Sequence, residues 1–344
     1  MFDGESVLSL TLANRRAGLL GLVLLLLSAA MLLVGVGVGN TGFDPLWRLW
    51  QDPIALQIVQ DIRLPRSVGA WLAGALLGLS GALAQGLFRN PLADPYLLGS
   101  ASGAALGLAL ALVLTGVSPL AAPWLLRLGL TGAAFAGAVG AVMLTLLLAQ
   151  GVQHTLRLLL AGVIVGVVLG ALSSLTLMLA PELLQTMQSF MLGSTSFIGW
   201  SACVVMALLW LLCQLAAWLL SPALDGLALG EATATSLGLP LPSMRMALIL
   251  VLALATGAAV AQTGLIAFVG LAAPHLVRSF VSLSYRRLIL LSSLMGGVLL
   301  LAADNLARGL IAPQELPIGI LSAVLGGAYL LWLMQFQSGG GKQL

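Results

Sequence analysis

The sequence contains few charged residues, and this scarcity determines its class. Charged side chains make up 7% of the 344 residues and hydrophobic ones 60%, whereas an ordinary soluble domain is about one quarter charged. Long stretches carry no charge at all, namely 17–43, 67–88 and 183–224. Because a membrane-spanning helix needs about 20 mostly apolar residues, the chain is predicted to be an all-α polytopic membrane protein.

Cysteine and histidine are also rare, with two residues of each. Cys203 and Cys213 lie within an apolar run and are predicted to be packing residues rather than a disulfide or a metal pair. His154 and His275 are far apart, and the sequence has no His/Glu zinc spacing and no paired intramembrane carboxylates. These absences argue against a membrane enzyme and predict neither a metal site nor a resident cofactor. The net charge of +3, without a basic run, predicts no nucleic-acid partner.

Ionisable residues are missing from the middle of every predicted span, where a charge would cost roughly 2.5–3.5 kcal/mol. Ion-coupled carriers usually place such residues near the midplane. An ion-coupled secondary transporter for a small solute is therefore a weaker alternative to a transporter driven by a separate subunit. A membrane assembly scaffold, which would carry no substrate, is a third. The C-terminal GGGK at 339–342 lacks the spacing of a phosphate-binding loop. A channel also fits these absences, but the sequence offers no candidate selectivity ring. A transporter driven by a separate motor subunit fits better, because the polar residues gather at the two predicted membrane faces.

Prolines, charges and Gly/Ser clusters divide the chain into about ten predicted spans. Most of the 14 Lys and Arg residues fall on the side of the N-terminus, which predicts that both termini are cytoplasmic. The region 243–281 also fits one long helix followed by a re-entrant segment, and 287–303 is short. The whole of 1–344 is predicted to be a single transmembrane domain with a flexible tail at 337–344. The predicted spans are 17–38, 66–87, 95–115, 129–149, 157–179, 198–220, 243–263, 266–281, 287–303 and 317–336.

Glycines spaced by four predict close packing between helices. There are 41 glycines in the chain. The regular sets are Gly74/Gly78, Gly99/Gly103/Gly107 and Gly162/Gly166/Gly170.

Polar residues gather at the two predicted membrane faces. On the outer face, Arg63 and Arg66 of RLPR place positive charge against the positive-inside trend, and Arg308 of the last outer loop could join them. An acidic partner and simple interfacial anchoring both explain this pattern. On the inner face, FRNPLADPYLLG at 88–99 is predicted to be a turn in which Asp94 caps a helix and Pro95 starts it.

Two further segments interrupt the apolar pattern. The inner loop 221–242 is bracketed by Pro222 and Pro240 and is longer than a typical connection of about 4–6 residues. Its LALGEATATSLG stretch is predicted to form a short amphipathic helix closed by Gly238, which favours a docking element over a plain connector. GLIAFVGLAAPHLVR at 264–278 predicts a helix break, either lining a cavity or forming a simple kink.

Taken together, these motifs resemble the permease family of ABC importers for iron-siderophores, haem and cobalamin, the FecCD family. The resemblance rests on motifs that occur in the same order along nearly the whole chain: RLPR, LAGALLGLSGALAQGLFRNPLADPYLLGSASGAALG, LRLLLAG, LGEATATSLG, FVGLAAPHLVR and ELPIG. It implies ten spans with cytoplasmic termini. It also implies import of a large metal chelate from the periplasm or cell exterior, driven by partner ATPase subunits that bind ATP and Mg.

The resemblance also implies roles for individual residues. Docking of a substrate-binding protein falls to Arg63, Arg66 and Arg308. Coupling to the ATPase falls to LALGEATATSLG, including Leu229, Gly230, Glu231, Ala232, Leu237 and Gly238. The cytoplasmic gate comprises Asn90, Leu92, His154 and Thr155, although QHT before LRLLLAG departs from the family pattern. The implied assembly has a second permease copy, two ATP-binding cassette subunits and a periplasmic or tethered binding protein, in the bacterial inner membrane.

Overall fold

The protein is a helical bundle. Its structure is a computed structural model, which describes the backbone of residues 4–39, 42–43, 52–116, 124–152, 155–281 and 283–338. Short elements join the helices: a π-helical turn at Val59–Arg63, 3-10 turns at Pro95–Leu98 and Pro181–Leu183, and an antiparallel pair of two-residue strands, β1 Val38–Gly39 and β2 Gly42–Phe43. The helices are α1 Gly4–Gly37, α2 Pro53–Ile58, α3 Leu64–Phe88, α4 Ser100–Thr115, α5 Trp124–Leu148, α6 Thr155–Leu179, α7 Leu184–Leu192, α8 Trp200–Ala228, α9 Glu231–Ser236, α10 Leu241–Thr263, α11 Val269–Phe280, α12 Tyr285–Gly309 and α13 Ile318–Ser338.

Seven of the described helices are long and apolar enough to cross a membrane, and they belong to α1, α3, α5, α6, α8, α10 and α12. Two shorter apolar helices lie at Ser100–Thr115 and Ile318–Trp332. Together with the short helix α11 they match the approximately ten spans expected from the sequence. The prediction of an all-α polytopic membrane protein is confirmed.

Helix α3 forms the centre of the bundle, because nearly every residue from Pro65 to Phe88 is buried. It packs against α8, α10, α11 and α12. A Cβ atom added at Gly74 would lie 2.3 Å from the carbonyl oxygen of Gly296, and one added at Gly78 would lie 2.1 Å from that of Ser292. These glycines let the backbones of α3 and α12 touch, as their spacing predicted.

Helix α8 continues through Pro222 to Ala228, so the predicted span 198–220 ends too early, and 221–228 is helix rather than loop. A proline inside a helix leaves the carbonyl four residues earlier without its N–H donor. Here that carbonyl belongs to Trp218, and Ser221 Oγ donates to it at 2.8 Å. The adjacent hydroxyl thus replaces the missing donor and lets the helix pass the proline.

The chain is interrupted between α10 and α11, as predicted. Phe268 adopts a left-handed conformation at φ +69° immediately before α11. The span predicted at 287–303 is longer in the structure, since α12 runs over Tyr285–Gly309. Helix α13 extends through Ser338, which makes 337–338 helical instead of tail, and 339–344 lie outside the described residues.

Candidate functional site at the two membrane faces

Arg66 and Arg308 both contact Asp304 at the outer ends of α3 and α12. Arg66 Nε donates to Asp304 Oδ1 at 3.2 Å, and Arg308 Nη2 lies 2.7 Å from Asp304 Oδ2. Asp304 is fully buried, and Arg66 and Arg308 are 9% and 2% exposed. Because a charge is retained inside a protein only when it is paired and hydrogen-bonded, this carboxylate stabilises both guanidinium groups in place.

Loop residues complete what we call the outer charge network: Arg66, Asp304 and Arg308 with Thr195, Ser196 and Glu315. Glu315 Oε1 accepts a hydrogen bond from Arg66 Nη1 at 2.9 Å, and Glu315 Oε2 accepts one from Ser196 Oγ at 3.0 Å. Thr195 Oγ1 donates to Asp304 Oδ1 at 2.5 Å. The segments that follow α7 and α12 are thereby tied to the start of α3.

Arg308 also connects α1 to the network. Its Nη1 donates to the carbonyl oxygen of Gly35 at 2.9 Å, and its Nη2 donates to Ser67 Oγ at 3.1 Å. Asn305 Oδ1 accepts from the same Nη2 at 2.6 Å. Several donors of the guanidinium fork are therefore used within the chain.

The ionisation of Glu315 depends on Arg66. Burial alone would raise the pKa of Glu315, but the hydrogen bond and the charge of Arg66, with help from Ser196 and Arg308, outweigh it and bring the pKa below its ordinary value of 4.5. Glu315 is therefore a carboxylate at neutral pH, the form that pairs with Arg66.

The three outer arginines singled out by the sequence lie in different environments. Arg66 and Arg308 are buried and paired with carboxylates of the same chain. A docking role led us to expect exposed arginines, and these two are not exposed. Arg63 is half-buried, and its Nη1 donates to the carbonyl oxygen of Val36 at 3.2 Å. Docking of a partner by these arginines stays a prediction.

Asp304 and Glu315 follow the span predicted at 287–303, and sequence reasoning missed their pairing with the arginines. The spacing of Asp304 and Arg308, four residues apart on one helix, is a signal that indicates their ion pair. Thr195 is separated from Asp304 by 109 positions, and the sequence contains no pattern that links them.

At the inner face, α9 forms the short helix predicted within LALGEATATSLG. It ends in a Schellman motif: Gly238 has φ +78°, its N–H donates to the carbonyl of Thr235 at 2.9 Å, and the N–H of Leu239 donates to that of Ala234 at 3.3 Å. Leu229 and Leu237, at the two ends of α9, are 67% and 65% exposed. These apolar side chains are thus exposed at the predicted inner face.

The first residue of α9, Glu231, contacts two arginines from different parts of the bundle. Arg245 Nη2, from α10, donates to Glu231 Oε1 at 2.6 Å, and Arg89 Nη2 lies 3.6 Å from the same oxygen. The Arg245 side chain is 7% exposed, whereas those of Arg89 and Glu231 are 49% and 42% exposed. The carboxylate thus joins a buried cation to a surface cation.

The predicted gate residues Asn90 and Leu92 lie together on the exposed turn after α3. Arg89 closes α3 in the left-handed conformation at φ +49°, and Asn90 Oδ1 accepts a hydrogen bond from the N–H of Leu92 at 2.9 Å. Leu92 is 57% exposed. Asp94 Oδ1 accepts from the N–H of Tyr96 at 2.8 Å, which confirms its predicted cap.

The other two predicted gate residues are less fully described. His154 lies outside the described residues, and Thr155 begins α6. The structure therefore brings together Asn90 and Leu92, and the inclusion of His154 and Thr155 in a gate stays a prediction.

Comparison with known proteins adds independent findings. The FecCD transport family matches residues 22–336 of the chain. The chain is 37% identical over 316 residues to the hemin transport system permease protein HmuU of Yersinia pestis, covering 91% of this chain and 93% of that protein. It is 38% identical over 291 residues to the vitamin B12 import system permease protein BtuC of Salmonella paratyphi A, covering 83% and 86% respectively.

Solved structures give the same result for the fold. An inward-facing conformation of a metal-chelate type ABC transporter is 30% identical, with a TM-score of 0.81, and the match covers 93% of this chain and 99% of that one. PsaBC from Streptococcus pneumoniae is 16% identical with a TM-score of 0.59, covering 82% of this chain and 91% of that one. The second similarity concerns the fold alone.

Proposed function

This chain belongs to the FecCD transport family and is a permease subunit of an ABC importer, and from that premise we propose that it imports a large metal chelate. The substrate class is haem, a ferric siderophore or cobalamin. The observation that carries this proposal is the combination of two relatives named for haem and vitamin B12, each aligned over more than four fifths of the chain, with a structural neighbour named for metal chelates.

The proposed assembly contains two copies of this chain, two ATP-binding cassette subunits and a periplasmic or tethered substrate-binding protein, in the bacterial inner membrane. ATP and Mg are bound by the cassette subunits, and this chain hydrolyses no ATP itself. The exposed apolar residues Leu229 and Leu237 beside α9 support contact with a cassette subunit, because burying them against a partner removes apolar surface from water.

In the proposed cycle, the binding protein docks at the outer face near Arg63 and delivers the chelate to a pathway between the two permeases. Binding and hydrolysis of ATP move the cassette subunits, and α9 follows. The turn bearing Asn90 and Leu92, with Thr155 and His154, forms the cytoplasmic gate that then releases the chelate. Position supports this role for the turn, since it lies at the inner end of α3, the central helix of the bundle.

Stimulation of ATP hydrolysis tests the substrate. The complex is reconstituted with its binding protein, which is loaded in turn with haemin, a ferric hydroxamate siderophore or cyanocobalamin. The true substrate is expected to raise ATP hydrolysis above the rate with unloaded binding protein, while the other two chelates do not. Equal rates with all three chelates and with unloaded protein would contradict the proposed substrate class.

A further inference from the structure

We propose that Glu231 is a positioning residue that transmits movement of α9 to the cytoplasmic gate through Arg89. The inference rests on the proposed function, because it assumes that α9 contacts the cassette subunit and that the turn after α3 is the gate. It goes further by naming the contact through which one moves the other. Three observations support it.

The first observation is that Glu231 is firmly held on one side. Its Oε1 accepts the hydrogen bond from Arg245 Nη2 at 2.6 Å, and Arg245 is buried on α10. Arg245 Nη1 also donates to the carbonyl oxygen of Val152 at 3.4 Å, in the segment between α5 and α6. The start of α9 is therefore tied through one guanidinium to both α10 and the loop that precedes Thr155.

The second observation is that the same carboxylate oxygen contacts the gate turn. Arg89 Nη2 lies 3.6 Å from Glu231 Oε1. An ion pair at half-exposed positions contributes little to stability in general. Here the contact matters because it links α9 to the turn that carries Asn90 and Leu92.

The third observation is the backbone of Arg89. Its φ of +49° places a side-chain-bearing residue in the left-handed region, which is strained for residues other than glycine. Such a conformation persists where surrounding contacts enforce it, and it often marks a segment that changes state. Arg89 N donates to Gly86 O at 3.3 Å and Asn90 N to Gln85 O at 3.2 Å, so a change at Arg89 releases the bonds that hold Asn90 to α3.

Movement at the cassette subunit would accordingly reach the gate by a short route. When α9 shifts, the Glu231–Arg89 contact either breaks or displaces Arg89. The hydrogen bond from Arg245 keeps Glu231 attached to α10 during this shift. Arg89 is the residue immediately before Asn90 in the chain. A displacement of Arg89 therefore also moves Leu92. Removing the charge of Glu231 should separate ATP hydrolysis from gate movement.

The experiment follows Leu92 in the whole complex of permease and cassette subunits in lipid nanodiscs. Leu92→Cys places a thiol on the exposed turn, and the native Cys203 and Cys213 are both buried. The rate of labelling by a polar maleimide is measured without nucleotide and with ATP plus vanadate, alongside ATP hydrolysis. In the Leu92→Cys background we expect the rate to change on nucleotide trapping.

In the same background, adding Glu231→Gln should remove most of that nucleotide-dependent change. Arg89→Gln should do the same, and Arg89→Lys, which keeps the positive charge, should restore the change. Glu182→Gln, the same substitution in the exposed outer turn after α6, is the matched control and should keep the full change. If Glu231→Gln fails to assemble, Arg89→Gln and Arg89→Lys decide the matter.

The outcomes separate this inference from the proposed function. A full nucleotide-dependent change with both Glu231→Gln and Arg89→Gln would overturn the Glu231–Arg89 contact as the route and leave the gate standing. A labelling rate that ignores nucleotide in Leu92→Cys alone would overturn the gate itself, and the route with it.

Discussion

Arg66 Nε lies 3.2 Å from Asp304 Oδ1 at the outer end of the bundle, where the Asp304 side chain is fully buried and that of Arg66 is 11% exposed. Arg308 contacts the other oxygen of the same carboxylate at 2.7 Å. Taking three charged groups out of water has a high desolvation cost, which their mutual attraction offsets only while all three are present. The outer face therefore depends on Asp304 for the fixed positions of α3 and α12.

Replacing Asp304 with Asn should destabilise the protein strongly. The substitution leaves Arg66 and Arg308 buried without their shared counter-ion, and breaking a buried ion pair costs about 3–5 kcal/mol. A thermal unfolding midpoint in detergent measures the loss. Asp61→Asn, at an exposed position on the same face, is the matched control and should leave the midpoint unchanged. Equal midpoints for Asp304→Asn and the unsubstituted protein would disprove the structural role.

The contribution of Glu315 should depend on pH. Its pKa in the folded protein is below the ordinary 4.5, so its ionised form stabilises the fold above that pH, and the contribution is lost as the pH falls through the folded-state pKa. We expect Glu315→Gln to lower the unfolding midpoint at pH 7. The difference from the unsubstituted protein should shrink on acidification below the ordinary pKa. A difference that is constant over this range would mean that the charge of Glu315 is not involved.

Replacing Gly81 with Ala should disrupt the contact of α3 with α11. The added Cβ would lie 1.7 Å from the carbonyl oxygen of Gly270, and backbone cannot move aside as a side chain can. Overpacking in a core typically costs about 1–3 kcal/mol, and this site should fall at the upper end. Gly140→Ala, on α5 with nothing within 4 Å of the new Cβ, should be tolerated. Comparable yield and unfolding midpoint for the two variants would contradict the packing described here.

Charge reversal at Arg63 should weaken docking of the binding protein, and more so at low salt. Electrostatic complementarity mainly governs encounter and orientation, and the Debye length grows from about 10 Å at 0.1 M salt to about 30 Å at 0.01 M. Arg63→Glu is compared with Arg157→Glu, an exposed arginine near the start of α6 on the inner side. Surface plasmon resonance at the two salt concentrations gives the association rate. Identical association rates for Arg63→Glu and Arg157→Glu at low salt would mean that Arg63 is not part of the docking surface.

Much of the fold follows from sequence pattern alone, because span length and charge placement reflect the thickness and low polarity of the membrane. The extension of α8 through Pro222 does not follow, since it depends on the hydroxyl of Ser221 reaching the carbonyl of Trp218. The full length of α12 was missed for a related reason. The charges of Asp304 and Arg308 favour a polar loop in a sequence-based prediction. In the structure both residues are helical, and their opposite charges form an ion pair.

Some features of the candidate site also follow from the sequence, whereas others depend on tertiary packing. Local signals were sufficient for the Asp94 cap and the Gly238 helix end, since both depend on neighbours in sequence. The outer charge network was missed because its members come from segments far apart in the chain, with Arg66 and Glu315 separated by 249 positions. The pairing of Glu231 with Arg89 and Arg245 depends equally on tertiary packing.

Uptake into liposomes tests the central claim most directly. Vesicles that contain the permease and its cassette subunits, with ATP inside, are given a binding protein loaded with the chelate that stimulates ATP hydrolysis. We expect accumulation that requires internal ATP and the binding protein and that persists when proton and sodium gradients are collapsed. Accumulation driven by a proton or sodium gradient, in vesicles that contain this chain without cassette subunits, would contradict the account.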